Sequence, residues 1–247
     1  MLQRGRFDVI AGPCAVEKES FQKTVDFLLD RGVSHIRGNI FKPRTWAHTF
    51  QGVGEQGVFE LETARGKGAK IVAEAMSPEH LEFLRPQADV IQIGARNMYN
   101  YPFLSQVSKL KVPVLLKRAP SATVEEVLGA TSYLQGTPVM LCERGIRSFN
   151  TETRFTLDLA NAVLIRNKSE FPVIADPSHG TGLRELVSPM CMAALAAGLD
   201  GVMVEVHPDP EKSQSDPLQT LDFKAFDELL GKLEGLANAL GTPFLGC

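Results

Sequence analysis

Four side chains able to ligate a transition metal are scattered over the chain: Cys14, His179, Glu205 and Asp216. A thiolate, an imidazole and two carboxylates suit a divalent transition ion rather than calcium or magnesium. Each residue also has a plainer reading. Cys14 can be a small buried hydrophobe, Asp216 a turn residue before Pro217, and His179 a partner for a loop carbonyl. His207 competes with Glu205 for the ligand role, since both have the same parity along one strand. A second set is cationic. Arg96, Lys117 and Arg144 each follow an apolar run, and guanidinium forks with an ammonium are what phosphate binding requires. Solvated rim charges, or ion pairs with Glu143 and Glu74, are the alternative. Lys42-Pro43-Arg44-Thr45 adds two cations and a hydroxyl on a proline-stiffened loop, and Arg37 lies just upstream. Two separated cationic clusters imply two anionic groups or two anionic substrates. Glu74, within an apolar run, is a candidate to position a water or take a proton; a buried ion pair is its plainer role.

The elements that must gather these residues follow from an alternating rhythm. Eight apolar runs, Phe7–Ala11, His35–Phe41, Lys70–Met76, Val90–Gly94, Pro113–Leu116, Val139–Cys142, Pro172–Ala175 and Gly201–Val204, are separated by segments of helical periodicity. Nearly continuous apolar strands alternating with helices read as a parallel sheet buried on both faces. Eight such units match a (β/α)8 TIM barrel, an α/β fold read here as a single domain over 1–247, with its active site at the strand C-termini. Strands one and eight are then neighbours, so Cys14, His179, Glu205 and Asp216 can converge. Arg96, Lys117 and Arg144 form an arc opposite them.

Helices are expected over 17–32, 55–67, 78–86, 100–110, 121–135, 151–168, 183–198 and 220–240. Ser77-Pro78, Ser121 and Thr151 serve as start signals, and Gly32, Gly136 and Gly198 as C-terminal stops. Segments 46–56 and 207–219 are the long loops, a type that is usually functional at a barrel mouth.

Composition excludes several classes. The chain of 247 residues is 44% hydrophobic and 22% charged, with formal charge −3. That balance speaks against a nucleic-acid partner, while seven cations at strand ends, Arg37, Lys42, Arg44, Arg96, Lys117, Arg118 and Arg144, suit a small anionic ligand. No apolar run approaches the roughly 20 residues of a membrane span. The first strand begins at Phe7, leaving no expected signal peptide. Four irregularly spaced cysteines suggest no disulfide framework and a cytoplasmic setting; Cys191 reads as helix core and Cys247 as a frayed terminus. Pro177–Gly182 lacks the spacing of a phosphate loop, a Ser178/His179 nucleophile pair is disfavoured by adjacency, and the Asn167 sequon reads as chance.

Six motifs, in order, resemble those of the 3-deoxy-D-arabino-heptulosonate 7-phosphate (DAHP) synthases, type I beta group. They are Ala-Gly-Pro-Cys-Ala-Val-Glu (11–17), Arg-Gly-Asn-Ile-Phe-Lys-Pro-Arg-Thr (37–45), Ile-Gly-Ala-Arg-Asn-Met (93–98), Leu-Cys-Glu-Arg-Gly-Ile-Arg (141–147), Asp-Pro-Ser-His-Gly-Thr-Gly (176–182) and Glu-Val-His-Pro-Asp-Pro (205–210). The resemblance implies condensation of phosphoenolpyruvate with erythrose 4-phosphate and water, the entry step of the shikimate pathway. It implies Cys14, His179, Glu205 and Asp216 as ligands of one divalent ion (manganese, or zinc, iron or cobalt), and no organic cofactor. It further implies Arg96, Lys117 and Arg144 as the phosphoenolpyruvate-phosphate grip, and Arg37 and Lys42 near that substrate's carboxylate and reacting carbons. Arg44 and Thr45 then serve the aldose phosphate, and Glu74 with Lys117 holds the attacking water. Pro217 departs from the family's usual glycine. A homotetramer or homodimer is expected, with no N-terminal regulatory domain and hence no response to aromatic end products. The rival octulosonate synthases, which use arabinose 5-phosphate, typically carry Lys-Ala-Asn-Arg-Ser where this chain has Lys-Pro-Arg-Thr. A non-catalytic sugar-phosphate sensor is the remoter alternative.

Overall fold

The computed structural model describes residues 2–245; Cys247 lies outside them. Eight parallel strands close a barrel in chain order. They are β1 (Asp8–Gly12), β2 (His35–Arg37), β3 (Lys70–Ala75), β4 (Val90–Ile93), β5 (Val114–Lys117), β6 (Val139–Glu143), β7 (Val173–Ala175) and β8 (Gly201–Glu205). Closure is made by β1 on β8, from Asp8 opposite Gly201 to Gly12 opposite Glu205. Nine helices surround the strands among the described residues: α1 (Lys18–Leu29), α2 (Val58–Gly66), α3 (Pro78–Leu84), α4 (Tyr101–Ser108), α5 (Val124–Thr131), α6 (Leu159–Asn167), α7 (Pro177–Thr181), α8 (Arg184–Ala196) and α9 (Phe223–Leu240). The architecture is the expected (β/α)8 barrel. None of these helices is long and apolar enough to cross a membrane.

Side chains alternate across each strand, and this alternation builds the site. Inward positions Ile10, Val72, Val90, Leu115, Met140, Ile174 and Met203 form one buried cluster, joined by Leu2 from the N-terminal segment. Outward positions such as Val9, Ile71, Ile91, Leu116, Leu141, Val202 and Val204 pack under the helices in a second, larger cluster. Two residues on from the inner cluster, the same strands carry Glu74, Gln92, Lys117, Asp176 and Glu205, all buried. The barrel is therefore dry below and charged above.

Several boundaries differ from expectation for local reasons. The run His35–Phe41 yields a strand of only three residues. It stops at Gly38, where a Cβ would press within 2.6 Å of Leu61 and 3.3 Å of Ile71, and buried Ile40 packs the following loop instead. Helix α6 starts at Leu159 rather than 151, capped by Asp158, whose carboxylate accepts from Asn161 N–H. Residues 151–158 instead fold back, with Thr156 bridged to Ile146. Helix α5 is opened by Thr123 with Glu126 in a reciprocal capping box, not by Ser121. Ser77 does precede α3, with Pro78 at its first position. Gly32, Gly136 and Gly198 all adopt left-handed backbone after their helices, as expected.

Candidate active site

The ends of β1, β7 and β8 and the loop after β8 bring Cys14, His179, Glu205 and Asp216 together, with one ligand atom from each within 4.8 Å of every other. Cys14 Sγ stands 3.0 Å from Asp216 Oδ2 and 3.6 Å from His179 Nε2, and His179 Nε2 is 3.1 Å from Glu205 Oε1. His179 Nδ1 faces Asp176 Oδ2 at 2.8 Å. A carboxylate behind the imidazole is the usual outer support of a metal-binding histidine. Burial, outweighing Asp176 and Glu205, pushes His179 down to about 4, leaving it the neutral imidazole a metal needs. Burial and then Glu205 push the Cys14 thiol up to about 12, against the pull of Lys42 and Arg37. This donor set, gathered from four distant points, fits a divalent transition ion.

Two cations brace the cluster. Arg37, almost fully buried, donates to Glu205 Oε1 at 2.9 Å and to Cys14 Sγ at 3.6 Å. Lys42 contacts Cys14 Sγ and donates to Asp216 Oδ2 at 2.7 Å. Against the burial that lowers it, Cys14, Glu205 and Asp216 hold the Lys42 ammonium above its ordinary range. Asp216, although half enclosed, is held well below the ordinary carboxylate range, chiefly by Lys42 against the opposing effect of burial.

A cavity of about 520 Å³ opens above these residues, within the usual size of a small-ligand site. Its walls carry six of the seven cations expected at strand ends, Arg37, Lys42, Arg44, Arg96, Lys117 and Arg144 but not Arg118, together with Thr45, Glu74, His179 and Asp216. Arg96 lies in a short 3-10 turn beyond β4, exposed, with Nη2 3.5 Å from Thr45 Oγ1. Arg144 is buried and stacked on Phe155, its guanidinium 4.2 Å from the ring centroid. The alternative pairings do not occur: Glu143 binds Arg118 on the outer side of the wall, 2.8 Å away. Lys117 instead meets Asp176 Oδ2 at 2.5 Å. Among the described residues Glu74 has no cationic partner; it accepts from Gln92 Nε2 at 2.8 Å, and its carboxylate abuts Gly94 so closely that any Cβ there would collide with it.

His207 is excluded from the ligand cluster. The chain turns after β8, and the ring packs against the Asp209 backbone with Nε2 toward Glu17, 3.7 Å away. Four residues escaped notice in the sequence. Asp176 supports both His179 and Lys117. Gln219 donates to Glu205 Oε2 at 2.5 Å, and Arg154 reaches both Gln219 and Asp216. Arg147 adds another cation to the cavity wall.

Comparison with known proteins fits this geometry. Residues 3–241 match the model of the DAHP synthetase I family. The chain belongs to that family. A phospho-2-dehydro-3-deoxyheptonate aldolase of Thermotoga maritima is 46% identical over 96% of this chain and 72% of its own. The crystal structure of a DAHP synthase from that organism superposes with a TM-score of 0.95 at 45% identity, covering 98% of this chain and 73% of the other. A truncated form of the Thermotoga enzyme gives 0.91 at 43% identity, with 98% and 91% covered. A 2-dehydro-3-deoxyphosphooctonate aldolase of Nitrosococcus oceani is more distant, 28% identical over 98% of this chain and 93% of its own.

Proposed function

We propose that this DAHP synthetase family member condenses phosphoenolpyruvate with erythrose 4-phosphate and water, giving 3-deoxy-D-arabino-heptulosonate 7-phosphate and phosphate, in a divalent-metal-dependent reaction. The observation that carries the reading is one cavity lined by His179 and Asp216 of the Cys14–His179–Glu205–Asp216 cluster and by eight arginine and lysine side chains. A divalent ion held by those four ligands supplies Lewis-acid polarisation of the aldehyde oxygen when bound.

The chain's own groups do the rest. Arg96, Lys117 and Arg144 grip the phosphate of phosphoenolpyruvate, and Arg37 and Lys42 face its carboxylate. Arg44 and Thr45 hold the aldose phosphate and so place its aldehyde near C3. Carbon C3 attacks the aldehyde carbon, whose oxygen takes up a proton to become the product's hydroxyl, and the developing positive charge at C2 is met by water. Glu74, fixed by Gln92 Nε2, accepts a proton from that water, and Lys117 orients it. The resulting hemiketal gives up its hydroxyl proton as the C2–O bond to phosphate breaks, leaving the ketone and a phosphate whose charge remains within the same guanidinium and ammonium grip. Asp176 anchors the Lys117 side chain at the cavity wall across 2.5 Å. The protein then works as a homo-oligomer in the cytoplasm on small anionic substrates.

An aldose panel tests the reading. With phosphoenolpyruvate and manganese, loss of the enol absorbance is expected with erythrose 4-phosphate in preference to arabinose 5-phosphate, and is expected to stop on chelation. Preference for arabinose 5-phosphate would move the chain to the octulosonate reaction. Turnover indifferent to chelation would remove the metal from the scheme.

A further inference from the structure

Asp216 is held in an unusual conformation. Its φ of +54° is left-handed, and the residue before a proline is already restricted by Pro217. Such a conformation persists only where the surroundings over-determine it. On one side, Thr220 Oγ1 donates to the Asp216 carbonyl at 2.9 Å. On the other, the restraint comes from the far end of the chain.

Glu17 stands at the N-cap of α1, yet its side chain does not cap that helix. Its Oε1 accepts the backbone N–H of Gln214 at 2.9 Å and lies 3.2 Å from Ser213 Oγ. Its other oxygen faces buried His207, 3.7 Å from Nε2. Glu17 closes the same turn that carries Cys14. That turn is itself pinned by Val16 N–H on the Asn39 carbonyl at 2.9 Å, and by Asn39 Nδ2 on the Cys14 carbonyl at 3.1 Å. One carboxylate thus joins the Cys14 turn to a loop whose backbone it grips two residues before Asp216. A side chain that leaves its own helix end to hold a remote loop is placed to fix the distance between two ligands.

We propose that Glu17 is a positioning residue: it ties the 207–216 loop to the Cys14 turn, brings Asp216 to Cys14, and thereby sets the affinity of the four-ligand site for a divalent cation. The proposal rests on the four-ligand reading given above.

Cobalt(II) titration of the chelator-treated full chain provides the test, reading both the thiolate-to-cobalt absorption band from Cys14 and the dissociation constant. In Glu17→Ala the band is retained while affinity falls about ten- to a hundred-fold, the usual cost of losing an outer-shell partner. Glu17→Gln, which keeps an acceptor for the Gln214 N–H, recovers most of the affinity. A double-mutant cycle separates positioning from general weakening: in an Asp216→Ala background, Glu17→Ala has no further effect on cobalt affinity. Wild-type affinity in Glu17→Ala overturns the proposal, as does an equal added loss in the Asp216→Ala background. Absence of the thiolate band in the wild-type chain overturns the ligand reading itself, and the proposal with it.

Discussion

The inside of this barrel has two storeys built by the same strands. In the lower one, Ile10, Val72, Val90, Leu115, Met140, Ile174 and Met203 fill the space with apolar volume. Two residues further along each of several strands, Glu74, Gln92, Lys117, Asp176 and Glu205 are equally buried but charged or polar. Burial of an unpaired charge is strongly unfavourable, and the upper storey answers with reciprocal partners: Arg37 on Glu205, Lys117 on Asp176, Gln92 on Glu74. The lower storey tolerates any well-fitting hydrophobe, whereas each upper group is useful only with its partner in place. The contrast separates residues that make the barrel stable from those that make it reactive.

The sharpest way to break that contrast is to change neighbours of equal parity on β5. Lys117→Met should lower kcat by at least about a hundred- to a thousand-fold, the typical loss on removing one charge-stabilising donor. It should also destabilise the fold by about 3–5 kcal/mol, because Asp176 is left buried without its cation. Leu115→Ala, one step below, should cost about 2–5 kcal/mol of stability through the cavity it leaves, with kcat of the folded enzyme retained. Chemical denaturation alongside initial rates measures both. Comparable loss of kcat in the Leu115 variant would mean that the two storeys are not functionally distinct.

A smaller effect tests the division of the mouth into two anion sites. Arg44→Ala should raise KM for the aldose by about ten-fold or more, the equivalent of one charged hydrogen bond of about 1.5–3 kcal/mol, and leave KM for phosphoenolpyruvate unchanged. Steady-state kinetics with each substrate varied in turn gives the answer. Equal shifts in both constants would merge the two sites.

Much of the upper storey was legible in the sequence because strand parity carries it. Once the apolar runs are placed, Glu74, Lys117, Arg144 and Glu205 fall at or just past inward strand ends without further information. Parity fails where the strand stops. His207 shares the parity of Glu205, yet the chain turns at Pro208 and the ring goes to Glu17. The run His35–Phe41 overstated β2 because Ile40 is apolar for a loop's sake rather than a strand's. Asp176, Gln219 and Arg154 were missed for another reason. Their partners are set by pairings across the barrel and by aperiodic loops, and neither leaves a spacing signature. Asp176 sits in plain view before Pro177, but its contact with Lys117 joins residues 59 positions apart.

The smallest expected effect lies at the opposite end of the barrel, where His35 opens β2. Burial first, then nearby cations including Lys70 and Arg6, push its imidazole down to about 4. A base whose folded value is depressed contributes stability above its ordinary value near 6.5, and that contribution is lost as pH falls toward 4. Thermal melting between those limits should therefore drop with falling pH, and His35→Gln should lessen the slope without altering kcat at neutral pH, leaving the part due to buried His179. An unchanged slope would show that His35 does not drive it.

Anomalous diffraction from crystals grown with manganese and phosphoenolpyruvate locates the ion and the phosphate together. One manganese peak is expected among Cys14 Sγ, His179 Nε2, Glu205 and Asp216, with the phosphate held by Arg96, Lys117 and Arg144. A manganese peak outside that cluster, or a phosphate bound away from those three cations, would contradict the proposed site.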